Sequence, residues 1–398
     1  MKTKITFLIL LTITTCNLFG QVNDTLKTEK DLKSIVLEEI QTGLDAKSKN
    51  LKQTVSDIDS RVDDLDKAIT NSKSAVEKAN KLLTRVQELE KRQVAVDENE
   101  LNIFQANYQS AIINLISMDR EIKPLKLFNT TKDFFENLAE TSNPMSYQEF
   151  DTWYVEFKKY IDRQKSKEAG IAVLSNLLDL TGELTKGAPF SGPITQPLFT
   201  SISSFINSLG NSKKELREQS ERMFILAAKL SQFTHDKDLI EHEWISITNE
   251  LSELQKHYDN VLKENLLLLS IDTLAFQNKY VKENDANKRL NFMLEIKQKA
   301  ADYVLKTKNI NSKDWKEIVY FEMMDVQSLK LRFGRITFSI SENIDRYRIL
   351  ITKYKSDPQI GSKVTTLETK LNNLKETFDS TFEPIEYLNS ATRMYKIH

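Results

Sequence analysis

The side chains best placed to do chemistry together are His235, Asp238 and His242, with Glu241 and Glu243 beside them. On a helix the first three fall at i, i+3 and i+7, on one face, and imidazole and carboxylate are the donors that hold a divalent metal. Their spacing argues against that use. Helical zinc sites place two histidines one turn apart, whereas His242-Glu243-Trp244-Ile245-Ser246 lacks the second histidine and His235 lies two turns away. The expectation is a solvated helix face with no metal and no other cofactor, and Asp63, Asp64 and Asp66 read the same way. No G-x-S-x-G, Walker or Rossmann fingerprint occurs, nor a cysteine paired with a histidine. The chain is therefore expected not to be an enzyme and to take no small-molecule substrate.

Composition points to the elements that carry these residues. Glycine supplies 9 of 398 residues, where average usage predicts roughly 28, and proline supplies 7. Tight turns and phosphate-cradling loops are nearly excluded. Charges make up 28% of the chain with both signs interleaved, for a net of −1. Without Lys2 and Lys4 the balance is 54 basic against 57 acidic side chains, so no global attraction to nucleic acid is expected. The cluster of Lys158, Lys159, Arg163 and Lys165 is short and offset by acids.

The first 20 residues read as a secretory signal: Lys2 and Lys4 lead into an apolar run over residues 5–11, with Gly20 before Gln21 at the cut. Cleavage there removes Cys16, the one cysteine, which suits an oxidising compartment. Export to the periplasm or the medium is the expectation. A lipobox at Ile13-Thr14-Thr15-Cys16, with Cys16 acylated, is the minor alternative.

Residues 43–124 hold neither glycine nor proline between their ends, so nothing there obliges the backbone to leave the helix. Apolar positions step by four and three through Leu51, Val55, Ile58, Val62, Leu65 and Ile69, then Ser72, Val76, Ala79, Leu83 and Val86. That is a heptad seam. A second break-free stretch, residues 211–333, carries a seam of its own from Leu216 through Met223, Leu230, Trp244 and Tyr258 to Leu268, with Lys237 and Asn265 as polar register markers. Two such rods predict antiparallel pairing. Turns are expected at Asn284-Asp285-Ala286-Asn287 and at Asn309-Ile310-Asn311-Ser312. Pro124 is expected to end a helix, and Ser146-Tyr147-Gln148-Glu149 to open one as a capping box with Phe150, Trp153, Tyr154, Phe157 and Tyr160 on its apolar face. A further helix from Trp315 to Tyr354 is interrupted only weakly by Gly334, and a last one ends or kinks at Pro384.

One segment departs from this pattern. From 171 to 212 only Asp179, Glu183 and Lys186 are charged, where the chain average gives about twelve, and five glycines and three prolines fall at 170–210. It reads as two short apolar helices joined by a turn. Either the pair is buried on the aromatic region, or Ile171, Leu174, Leu177, Leu178, Phe190, Leu198, Phe199, Ile202, Phe205 and Ile206 meet a partner or a membrane. The organisation expected is thus a signal at 1–20, an N-terminal coiled-coil helix at 21–97, an aromatic-rich helical region at 98–169, an apolar hairpin at 170–210, a long coiled-coil helix at 211–310 and closing helices at 311–398. The fold class expected is all-α, an elongated antiparallel bundle of long coiled-coil helices with the apolar hairpin at one tip.

By architecture alone, over most of the chain after the leader, this layout resembles the helical pore-forming toxins of the haemolysin BL and ClyA type. The resemblance implies a soluble form that hides the hairpin and an oligomeric form that inserts it. The residues themselves point first to a scaffold or adaptor that works by self-association or by assembly with a protein partner, with membrane insertion of residues 171–209 as the alternative.

Overall fold

A computed structural model describes residues 2–129, 132–163 and 214–393, and among them the chain is all-α, a helical bundle fold without a strand. The helices are α1 (Lys2–Asn71), α2 (Ala75–Asn129), α3 (Lys132–Ser142), α4 (Gln148–Asp162), α5 (Lys214–Leu268), α6 (Thr273–Phe276), α7 (Ala286–Ile310), α8 (Trp315–Tyr354), α9 (Gly361–Phe382) and α10 (Pro384–Arg393). A 3-10 turn at Pro144–Ser146 precedes α4, and a π turn at Gln277–Val281 follows α6. None of the described helices is long and apolar enough to cross a membrane.

Several local expectations need correction. The first rod is not one helix: Ser72-Lys73-Ser74 break it, and α2 folds back along α1. Serines compete with the helix for backbone bonds, and here the Ser72 hydroxyl donates to the Ala68 carbonyl at 2.8 Å while the Ser74 carbonyl takes the Lys78 N–H at 3.0 Å. Pro124 does not end a helix, because α2 runs on to Asn129 with Ile122 and Leu125 fully buried around it. Packing there outweighs the lost backbone bond. Nor does Ser146 cap α4: its hydroxyl donates to the Glu140 and Asn143 carbonyls at 2.7 Å, and the Tyr147 carbonyl takes the first helical N–H groups.

Other breaks follow side-chain chemistry. Asp285 caps α7 by accepting from the Asn287 and Lys288 N–H groups at 2.9 and 3.3 Å, close to the expected turn. At the end of α5 the N–H of Ile271 reaches the Leu266 carbonyl, and that of Ser270 the Leu267 carbonyl. This is a Schellman closure, with Ser270 at φ 52° in the place glycine usually takes. Glu383 adopts φ 44° and closes α9 ahead of Pro384.

The chain forms two compact units. One comprises Met1–Lys126, Ser252–Arg335 and Ile385–His398; the other comprises Leu127–Leu251 and Ile336–Pro384. In the first, α2 packs its face of Phe104, Tyr108, Ile112 and Leu115 against α5, α7 and α8. Phe104 meets the Trp315 ring edge-on at 5.0 Å, Tyr108 stacks on Tyr303 at 5.1 Å, and the Tyr108 hydroxyl donates to Asn265, the polar marker foreseen in the seam. In the second, Phe134 and Tyr347 meet edge-on at 5.3 Å, Phe233 packs on Tyr354, and Trp153 stacks on Phe157 while its indole N–H donates to Ser220 at 3.0 Å.

Phe104→Ala, in the wall of the first unit, should lower unfolding free energy by about 3–5 kcal/mol, as a core aromatic truncation does. The midpoint of urea unfolding, followed by circular dichroism, reads it. A midpoint unmoved from wild type would mean that this ring is not part of a packed core.

Candidate functional site

The ten residues expected to meet a partner or membrane, Ile171 to Ile206, lie outside the described residues. The metal-like constellation is described, and its members face other work. His242 Nδ1 stands 2.7 Å from the backbone carbonyl of Asp238. Lys237 lies 3.4 Å from Asp238 and 3.1 Å from Glu241, and Arg346 pairs with Glu243. Among the described residues no group of three or more histidine, cysteine or acidic side chains is set to hold a metal ion.

What the structure does show is an open face on the α1–α2 hairpin. The two helices are laced by ion pairs: Arg92 to Asp59 at 2.7 Å, Arg61 to Glu88 at 2.8 Å and Arg85 to Asp66 at 2.6 Å, with Ser48 donating to Asn99. As one number rises the other falls, so the helices run antiparallel. Ile58 and Val62 of α1 are buried in this seam and Leu65 and Ile69 half-buried, but α2 answers this row with Arg92, Glu88, Arg85 and Lys81. At about 100° per residue, Val76, Ala79, Leu83 and Val86 then lie on the opposite side of α2. They are in water: Val76 is 70% exposed, Leu83 60% and Val86 50%, with Leu82 beside them at 48%.

This open face prolongs the one that packs the core of the first unit. Phe104, Tyr108, Ile112 and Leu115 have the same rotational phase as Ala79 and Val86. They are covered because α7 and α8 lie along them. Those two helices meet at residues 311–314, level with Glu100, whose carboxylate takes Lys316 at 2.6 Å. Beyond that level α2 continues without its cover.

At the other end of α1 stands a buried polar cluster. Glu29 is 1% exposed and pairs with Arg289, itself 3% exposed, at 2.7 Å, while the Tyr280 hydroxyl donates to the same carboxylate. Burial lifts the Glu29 carboxyl above its usual range, against the pull of Tyr280, Arg289 and Arg120. One nitrogen of Arg120 donates to the carbonyls of Tyr280, Val281 and Glu283, closing the end of the π turn. Next to this, Lys33 pairs with Glu121 at 2.9 Å, the Tyr387 hydroxyl donates to Glu121 at 3.0 Å, and both Lys33 and Lys330 lie over the Tyr387 ring. Burial, with Lys33 adding to it and Glu121 opposing it, pushes the Lys330 ammonium down to about 7. Sequence reasoning missed this cluster, although its signal is visible: Glu29 continues the apolar steps of Leu32, Val36 and Ile40.

A groove of about 890 Å³ lies among α1, α2 and α7, lined by Glu39, Gln105, Gln109 and Lys297 among others. These four polar groups are engaged: Gln105 and Gln109 donate to the Ala301 and Lys297 carbonyls, and Lys297 pairs with Glu39. These contacts brace α1, α2 and α7 against one another.

The Lys330 site makes stability depend on pH. An unfolded lysine binds its proton up to about pH 10.4, whereas the folded one releases it near 7, so between these values the unfolded chain holds more protons and stability rises with pH. Lys330→Met should remove that rise and raise stability by a few kcal/mol at pH 6, with little change near pH 10. Urea midpoints of both proteins across this range measure the difference. Parallel curves would show that Lys330 carries no buried charge.

Comparison with protein-family models, curated proteins and solved structures finds no match, so function rests on the geometry above.

Proposed function

We propose that the protein is exported, to the periplasm or the medium, and acts there without catalysis as a coiled-coil scaffold or adaptor. On this reading its long helices form an elongated antiparallel bundle, and residues 171–209 dock a protein partner at its tip. The carrying observation is the α1–α2 hairpin, whose Val76, Leu83 and Val86 stay in water although they follow the spacing by which helices pack together. Apolar faces that large, next to an otherwise paired helix, mark contact surfaces. Further support comes from how charge is spent: Arg61, Arg85, Arg92 and Lys316 tie one helix to another. Such side chains are engaged in fixing helix geometry.

The rival is a toxin-like component that inserts residues 171–209 into a bilayer, favoured by the scarcity of charge there. Dye-loaded vesicles separate the two. The protein should leave them intact, and Leu177→Asp or Phe205→Asp should weaken partner binding without touching vesicle integrity. Leakage by the wild type that either aspartate abolishes would replace the scaffold with the toxin.

A further inference from the structure

Resting on that scaffold reading, we infer that the stripe Val76, Ala79, Leu82, Leu83 and Val86 of α2 is the self-association surface of the protein, covered by the same stripe of a second copy lying antiparallel to it. Three observations lead there. The first is continuity: this face of α2 is packed by helices as far as Phe104 and is bare beyond. Its occupant should therefore be another helix, supplying what α7 and α8 supply further along.

The second is charge. Between Ala75 and Leu89 the five charged residues, Glu77, Lys78, Lys81, Arg85 and Glu88, all fall on the half of α2 turned toward α1. Lys81 bonds Glu77 and the Ser72 hydroxyl there, and Arg85 and Glu88 are held by α1. The outer half carries no charge, so two identical copies meet without like-charge repulsion, and no charged group is present to select a different partner.

The third is shape. With α2 antiparallel to its copy and the two-fold axis near Lys81, Ala79 stands opposite Leu83 of the second copy and Val76 opposite Val86. Each large side chain then faces a smaller or matching one. A parallel pair would set Leu83 on Leu83 and Ala79 on Ala79, with crowding at one level and a void at the next. The exposed stripe offers on the order of 450 Å² per copy, the size of a weak, reversible contact.

The test is sedimentation of the full chain from micromolar concentration upward, together with disulfide trapping in a Cys16→Ser background. A reversible dimer is expected, weakened about a hundredfold or more by Leu83→Glu with Val86→Glu. Helicity by circular dichroism should match that of wild type diluted to the monomer, because both side chains already lie in water there. Ala79→Cys with Leu83→Cys should trap covalent dimers under mild oxidation, and Leu83→Cys alone should trap few. A wild type monomeric throughout, a dimer indifferent to the two glutamates, or efficient trapping by Leu83→Cys alone would each overturn the proposal. So would vesicle flotation that the glutamates abolish, since the occupant would then be lipid. Failure here is separable from failure of the scaffold reading: a monomer that leaves vesicles intact removes only the second copy, whereas leakage abolished by Leu177→Asp removes the scaffold and leaves the dimer standing.

Discussion

A carboxylate as deeply buried as Glu29 restricts the register of the helices around it. Slid by one heptad along α7, α1 would carry Glu29 away from Arg289 and leave two charges unpaired in the interior, a loss of roughly 3–5 kcal/mol. Tyr280 and Arg120 add to the constraint, because the π turn whose carbonyls Arg120 holds also aims the Tyr280 hydroxyl at Glu29. Register then passes outward along the hairpin, from Lys33 on Glu121, through Ser48 on Asn99, to Arg61 on Glu88 and Arg85 on Asp66. Arg85–Asp66 near the tip is largely exposed and contributes little by itself, and only Glu88 among the acids there is buried. Together these pairs hold a phase set some 30 residues away.

That phase explains why the apolar stripe faces outward. Turning α2 by half a revolution would carry Leu83 and Val86 toward Leu65 and Ile69 of α1, which stand at their level. Yet α2 is one continuous helix, and the same turn would swing Phe104, Tyr108 and Ile112 out of their core. Those side chains are fully or nearly buried, Tyr108 stacked on Tyr303 and Phe104 edge-on to Trp315, so the core prevails and the tip accommodates it with polar side chains.

The sequence made the helices legible because glycine and proline are so scarce that few places could end one. The long seam from Leu216 to Leu268 is nowhere fully exposed, its polar member Asn265 meets Tyr108, and α8 runs through Gly334 as its spacing implied. What escaped were features that need no special residue type. Ser72 to Ser74 and the Schellman turn at Ser270 break helices without glycine, and Pro124 sits inside a helix that its neighbours hold together. The buried charges escaped for a related reason. Glu29, Arg289 and Lys330 each occupy a position in an apolar stripe, where a single charged letter reads as a gap until its partner, some 260 residues away for Glu29 and Arg289, is brought alongside. The hairpin stripe was legible as spacing and illegible as exposure, since the spacing shows that a helix belongs there but not whether the chain supplies it.

The polar inner seam has a consequence for how the hairpin behaves. Where α2 offers Lys81, Arg85, Glu88 and Arg92 to the apolar residues of α1, little apolar area is removed from water between the two helices, and solvated ion pairs replace little of the difference. The part of the hairpin between Asn99 and its turn therefore gains less from burial than the stretch of α2 from Phe104 to Leu115, while its outer face is apolar. Anything that covers that face binds the ordered hairpin better than the frayed one and stabilises it by mass action. Order and attachment at the tip are then linked, since whatever adds to one adds to the other.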